Sequence, residues 1–464
     1  MEQLNVTKLN FENIAKVFFF LFLISLFFPI RYVFFTKTAF ITGLYSDFTS
    51  ISLYLSDIFL ITTWIFLIVS RGETFFHVVK SLKWLFFWLI LAFLLNFGLN
   101  KGLNTFFFIK LLELFVAYGT AVVLFSPSPL LLSLKGEGLR VRGWFFKLFV
   151  ILGSIQSILA LWQFIIQSPI GLFKLGEQQI YPWNLGIAKI VVNGIKFVRG
   201  YGTFPHPNPL SAFLVVGIFF SIYFFLKADK LWQKVAYSCA ILINILGLTV
   251  TFSRGAFLAL GVGLVIYFGY LFFLPSPGVG EGQGRGRKIA LLIIVFSLLT
   301  SFLIFRPYLL TRATISDQAT VERGMYNQIG LKMIKDKPIF GVGIGERVLH
   351  MQQFSSVKLW PWQIQPIHNY FLLAAAELGI MGSLILIWIF LSHLKSLWLR
   401  IKDKRLRIEI HPLLFTILIS FLVLMNFDHY FYTLQQTQLL LWVVLGLIAA
   451  ESNQNQSYEL HTKI

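Results

Sequence analysis

Charge and cysteine are what this sequence lacks. Only 13% of its 464 residues are Asp, Glu, Lys or Arg, where a soluble domain carries roughly 25%. The mean hydropathy of +0.76 excludes a single water-exposed globule. The lone cysteine, Cys239, lies in an apolar run. One thiol excludes an intrachain disulfide and a Cys-based metal site, and Cys239 reads as a small buried hydrophobe. Acidic residues are few, 20 against 39 Lys and Arg. The sequence offers no outward carboxylate pair, and no cluster of His and Asp at metal-ligand spacing.

Apolar residues take the place of charge. They make up 57% of the chain, with 52 Phe, a residue that faces acyl chains at no cost. A membrane-crossing helix needs about 20 mostly apolar residues. Twelve stretches qualify, centred on residues 17–30, 58–69, 84–97, 106–125, 148–166, 210–226, 235–250, 256–274, 289–305, 368–391, 412–427 and 431–449. The first lacks a small-residue cleavage site, so it reads as a span and not a signal peptide. The expected fold is an all-α polytopic membrane protein of about 12 transmembrane helices. Its expected divisions are helices one to five (1–167), an extracytoplasmic loop (168–209), and helices six to nine (210–305). A larger extracytoplasmic loop with an amphipathic helix (306–367), helices ten to twelve (368–450) and a cytoplasmic tail (451–464) follow.

Basic residues in short loops mark the cytoplasmic side. With the N-terminus inside, the inner loops hold Arg71, Lys80, Lys83, Lys135, Arg140, Arg142, Lys147, Lys227, Lys230, Lys234, Arg285, Arg287 and Lys288. The last inner loop adds Lys395, Arg400, Lys402, Lys404, Arg405 and Arg407, while the short outer loops hold only Arg31, Lys37, Lys101 and Arg254. Both termini are therefore expected in the cytoplasm. Much of the net charge of +19 becomes a topology signal, and no nucleic-acid partner is called for. The two long outer loops escape the charge rule. They carry Lys174, Lys189, Lys196, Arg199, Arg306, Arg312, Arg323, Lys332, Lys335, Lys337, Arg347 and Lys358, and such a face suits an anionic substrate. Two inner tracts rich in Gly, Pro and Ser, 126–143 and 275–287, read as flexible linkers.

The outer segments hold the residues of chemical interest. Two β-rich runs flank Asn193-Gly194, a strong hairpin signal because both turn positions need positive φ. The hairpin leads into Arg199-Gly-Tyr-Gly-Thr-Phe-Pro-His206-Pro-Asn208-Pro209, where His206 and Asn208 either cap the next helix or line a site. Arg254 lies in Thr251-Phe-Ser-Arg-Gly-Ala256 between two spans with almost no loop. A charge so close to hydrocarbon is functional, paired or snorkelling. Ser316 or Asp317 can cap a helix that Pro338 stops, and Met325, Ile329 and Met333 recur on one face of it, with Arg323 on board. Such an amphipathic helix can lie on the membrane. Gly341-Val-Gly-Ile-Gly345 reads as a tight turn, with phosphate binding the alternative. His368 and Asn369 open the tenth span, and Glu377 lies inside it, where a carboxylate is a functional candidate by default.

Together these segments resemble the O-antigen ligase/polymerase family of bacterial envelope glycosyltransferases. The tightest match is His368-Asn369, nine residues, then Gly379 and Gly382. It follows Ser253-Arg254-Gly255, the Arg323 helix and Phe340–Gly345 in the family's order, and the resemblance covers roughly residues 199–390. It implies a GT-C-like fold in the bacterial inner membrane. It implies transfer of a glycan from a polyprenyl-diphosphate carrier, such as undecaprenyl diphosphate, to a glycan, lipid or protein acceptor outside the membrane. The membrane lipids are the surroundings, and neither cofactor nor metal is implied. The positions matching essential residues are Arg254, Arg323 and His368. Arg199, His206, Asn208, Asn369 and Glu377 are the candidate substrate-binding residues. The residue types fit independently. Arg offers a fixed fork of donors to a leaving diphosphate, and His is the natural base for an acceptor hydroxyl. One-step attack would invert the anomeric configuration. Ligase and polymerase share the motifs, so the acceptor stays open. A lipid-linked sugar transporter would place polar residues along the spans, whereas here they gather at the outer face.

Overall fold

The computed structural model describes residues 2–41, 43–96, 101–126, 137–274, 281–313, 318–403 and 409–462, and every count below concerns these. The helices are α1 (Glu2–Ser25), α2 (Leu55–Val79), α3 (Lys83–Asn96), α4 (Lys101–Phe125), α5 (Glu137–Ile166), α6 (Pro207–Lys227), α7 (Leu231–Val250) and α8 (Arg254–Phe273). After them come α9 (Glu281–Ala313), α10 (Gln318–Asp336), α11 (Arg347–Phe354), α12 (Tyr370–Lys402), α13 (Ile410–Phe427), α14 (Tyr430–Thr433) and α15 (Gln435–Thr462). Nine helices are long and apolar enough to cross a membrane. The three other expected spans fall on α1, α3 and α15. Of these α3 has only 14 residues, about 21 Å at 1.5 Å per residue, short of the hydrocarbon thickness.

Phenylalanine builds the core as well as the lipid-facing surface. Phe27, Phe149 and Phe213 interlock at ring-centroid distances of 4.9 to 5.7 Å, and Phe146 stacks on Phe220 at 4.3 Å. Such offset and edge-on pairs add to the burial of the rings themselves.

The hairpin forms where the turn signal lies. Strands β5 (Lys189–Val192) and β6 (Ile195–Val198) pair antiparallel, and Asn193 and Gly194 hold φ of 50° and 82°. Residues 31–54 hold two further small antiparallel pairs, β1 (Arg31–Phe34) with β4 (Ile51–Tyr54) and β2 (Phe40–Ile41) with β3 (Leu44–Tyr45). The hydropathy pattern does not reveal these.

Three expectations are corrected. The linker tracts lie outside the described residues only at 127–136 and 275–280; their later parts are the first turns of α5 and α9. Arg142 is buried there, bonded to Glu451 and to the carbonyl of Phe125. Cys239 is exposed, on a face of α7 that lines a cleft. Finally, the apolar stripe of α10 is covered by protein. Ile329 and Met333 are buried, and Gly330 lies against Ile367 and Leu372. The proposed Ser316 or Asp317 cap lies outside the described residues.

The glycine motif becomes intelligible in three dimensions. α12 is broken at Gly379, with φ 74° and ψ 172°. A Cβ there would stand 1.7 Å from the Ile339 carbonyl oxygen, so only glycine lets the 338–345 segment seat against the break. The seat is hydrogen-bonded, Val342 N to Ala376 O at 2.8 Å and Ile380 N to Pro338 O at 2.8 Å. The Gly341–Gly345 run is therefore a packing device on α12.

Candidate functional site

One end of the bundle collects the N-termini of α6, α8 and α12 and the C-termini of α9 and α13. Each brings a polar residue from just beyond or just inside its hydrophobic run. Pro207 opens α6, with a missing N–H that costs nothing in the first turn. His206 caps it, its Nδ1 accepting from Asn208 N at 3.1 Å. The segment before it is held rigidly. Gln163 Oε1 accepts from the N–H of Tyr201 and of Gly202, and Gln156 Oε1 accepts from Thr203 N at 2.9 Å.

Arg199 is buried at the hub of this scaffold. Its Nε donates to the Thr251 carbonyl, and its Nη2 donates to Asn208 Oδ1 at 2.6 Å. Asn208 in turn donates through Nδ2 to Asp428 Oδ2 at 2.6 Å. One guanidinium thus fixes the turn before Arg254 and, through Asn208, a carboxylate from the far end of the chain. Burial, reinforced by the charge of Arg312, pushes Arg199 down to about 9.

Arg254 is the first residue of α8 and donates to Thr320 Oγ1 at 3.1 Å. Arg254, Arg312 and Arg323 line one small pocket together with Asn208, Asp428 and Tyr430. Arg323 Nη2 lies 3.9 Å from Asp428 Oδ2. A second, more apolar cavity of about 210 Å³ is lined by Phe252, Phe257 and Leu309 and shares Arg254 and Arg312 with the first.

His368 stands next to this pocket. Its ring stacks on Tyr326 at 5.4 Å and meets His429 edge-on at 4.7 Å. The side-chain ligand atoms of His368, Asp428 and His429 all lie within 4.8 Å of one another. That corrects the sequence reading of no His and Asp cluster. The residues are 60 positions apart in the chain, and only the fold assembles them. The dimensions would admit a metal ion, but the carboxylate of the set is already engaged. Asp428 accepts from Asn208 and, through Oδ1, from the His429 N–H at 2.8 Å, and the arginines around it oppose a further cation. Burial would raise the Asp428 carboxyl, but His429, His368 and Arg323 hold it well below the usual carboxylate range. Burial lowers His368, with Asp428 pulling the other way. Burial and the Arg199 charge push His206 down to about 3, and His429 also goes down, by burial and by His368.

The remaining candidates fall elsewhere. Asn369 caps α12, Oδ1 accepting from Leu372 N at 2.9 Å, and its Nδ2 donates to the Asn426 carbonyl at 3.2 Å. Its amide is spent on tying α12 to α13. Glu377 is not brought to the cluster. It is buried against Arg347, Nη1 to Oε1 at 2.5 Å, beneath the ring of Tyr432. Sequence reading did not single out Asp428, His429 or Arg312. The available signal for the first two was an adjacent Asp-His pair in the short joint between the last two apolar runs.

Fold and site together define a polytopic membrane protein with an arginine-lined pocket beside a buried His-Asp-His cluster. Residues 238–387 match the family model described as O-antigen ligase. The matched segment includes Arg254, Arg312, Arg323 and His368. At family level this match supports a membrane glycosyltransferase of ligase/polymerase type. No curated protein matches the chain.

Proposed function

We propose that this chain moves a glycan from a polyprenyl-diphosphate carrier to an acceptor hydroxyl, at the bundle end that carries His368. On this reading that end, with segments 168–209 and 306–367, faces outward from the bacterial inner membrane, a sidedness that the charge asymmetry of the loops supports. The observation that carries the reading is the shared lining of the two cavities. Arg254 and Arg312 border both the polar pocket and the apolar one. A diphosphate headgroup held by Arg254 and Arg312, with its first isoprene units along Phe252, Phe257 and Leu309, matches that change of lining.

In the step itself, the acceptor oxygen attacks the anomeric carbon while its proton passes to His368. The bond from that carbon to the diphosphate oxygen breaks, and the departing charge stays with Arg254, Arg312 and Arg323. Preorganised cations aimed at a developing anion are among the largest catalytic terms known. Asp428 offsets the imidazolium that forms. A single displacement inverts the anomeric centre, and no group in this scheme requires a metal or a cofactor. Arg199, His206 and Asn208 act by fixing Asp428 and the Arg254 turn.

The test is transfer by the purified protein from a polyprenyl-diphosphate glycan, offered a lipid-linked sugar core, a growing glycan or a peptide hydroxyl. The expected product is inverted, and the acceptor that reacts separates ligase from polymerase. A retained product overturns the one-step mechanism. Failure with every acceptor, by protein that binds the donor, overturns the transferase reading.

A further inference from the structure

The opposite end of the bundle holds a cleft of about 770 Å³ between α6, α7, α8 and α9, well within the size range of ligand sites. The chain direction places it there. α6 leaves the His368 end at Asn208 and reaches the cleft at Lys227, and α7 returns from it toward Thr251. At about 1.5 Å per residue, 20-residue helices separate cleft and site by roughly 30 Å.

The lining is divided by depth. Lys227, Lys234 and Arg287 are basic, Asp229 and Glu409 are acidic, and Leu226, Val235 and Ile293 are apolar. Along α7, Lys234 is followed five residues later by Cys239, and along α9, Arg287 is followed six residues later by Ile293. Each run spans roughly 7–9 Å, the step from headgroup level to acyl level. Glu409 engages Lys227 at 2.7 Å. Arg287 is different. It is buried, and its Nη1 donates to a neutral partner, the Leu271 carbonyl. A buried cation is costly unless an anion compensates it, and Lys234 adds an exposed positive charge beside it.

We propose that this cleft binds the phosphate headgroup of an anionic phospholipid between Arg287 and Lys234, with an acyl chain along Val235 and Ile293. Basic pockets between membrane helices recognise lipid headgroups by this combination of charge and apolar wall. The loop charges assign the cleft to the cytoplasmic leaflet, and the site is independent of glycan transfer.

Cys239 is the only cysteine and lines the cleft, so its alkylation reports occupancy. The full chain in a neutral detergent is treated with N-ethylmaleimide after addition of phosphatidylglycerol, phosphatidylcholine or inorganic phosphate. Retained lipid is read in parallel by native mass spectrometry. The expected result is retained phosphatidylglycerol and a slowing of alkylation by about tenfold. Neither should occur with phosphatidylcholine or phosphate, and both should be lost in Lys234→Gln combined with Arg287→Gln. Lys234→Glu alone, which changes an exposed position, should reduce both and guards against misfolding of the double variant. Equal protection by phosphatidylcholine, protection by phosphate alone, or full protection in Lys234→Glu would each overturn the proposal.

Discussion

Two charged clusters lie toward the same end of this bundle, and they differ in what faces them. In the first, Lys110 bonds to Asp57 and to Glu113, and Gln435 Nε2 donates to Asp57 Oδ1 at 2.5 Å and to Glu113 at 3.1 Å. Each member is answered by the others, and the cluster joins α2, α4 and α15 without needing a guest. In the second, three arginines and one aspartate line a pocket. The surplus there is positive and faces space. A buried network whose members bond to one another stabilises, or at best breaks even, by its own pairing. An unbalanced one beside a cavity is arranged for a charge that arrives from elsewhere. Arg347 and Glu377 belong with the first kind, although Glu377 lies in the same helix as the family motif.

The comparison can be broken by mutation, and the largest effect is expected at the open cluster. His368→Ala should lower single-turnover transfer by about 10²–10⁴-fold, the usual cost of losing a general base, with donor binding and membrane insertion kept. A well-inserted variant at near wild-type rate would remove His368 from the chemistry. Arg254→Lys and Arg323→Ala should each cost about 10²–10³-fold, as for other preorganised donors to a developing anion. The lysine variant should suffer despite its charge, because it lacks the bidentate fork. Wild-type rates in both would return the arginines to a purely structural role.

At the closed pair the expected loss is stability. Arg347→Met should destabilise by about 3–5 kcal/mol by stranding the Glu377 carboxylate, and Arg347→Met with Glu377→Leu should recover much of it. Thermal unfolding in detergent reads both. A stable single variant with abolished transfer would move this pair into the site.

The pH profile sharpens the comparison further. His368 acts as a base in its neutral form, and its pKa lies below the ordinary value of 6.5. Transfer should therefore hold its plateau through pH 6.5 and fall only as the pH drops below the lowered value. An acid limb centred above 6.5 would contradict the burial of this imidazole. The smallest effect belongs to the hairpin. Asn193→Ala, at a φ of 50°, should cost about 1 kcal/mol and leave transfer unchanged.

How much of this could be read in advance depends on the range of the interaction. Apolar runs, the Asn193-Gly194 turn and the end of α10 before Pro338 depend on neighbours within a few residues, so they were legible. Arg254, Arg323 and His368 stood out as candidates for another reason. Charged or polar residues at the margin of apolar spans are too costly to be incidental, and their order matched a known family. Asp428 was not legible, because its meaning rests on Asn208 and His368, 220 and 60 positions away. The exposure of Cys239 and the Arg347 partner of Glu377 were hidden for the same reason, as was the burial of the α10 stripe under α12. Hydropathy settled by itself that the membrane spans are helical, because runs of about 20 apolar residues leave no backbone group free in hydrocarbon only as helices. Which charges cancel and which face a cavity was decided only by tertiary structure, since an ion pair is set by a few ångströms in space and leaves no periodic trace along the chain.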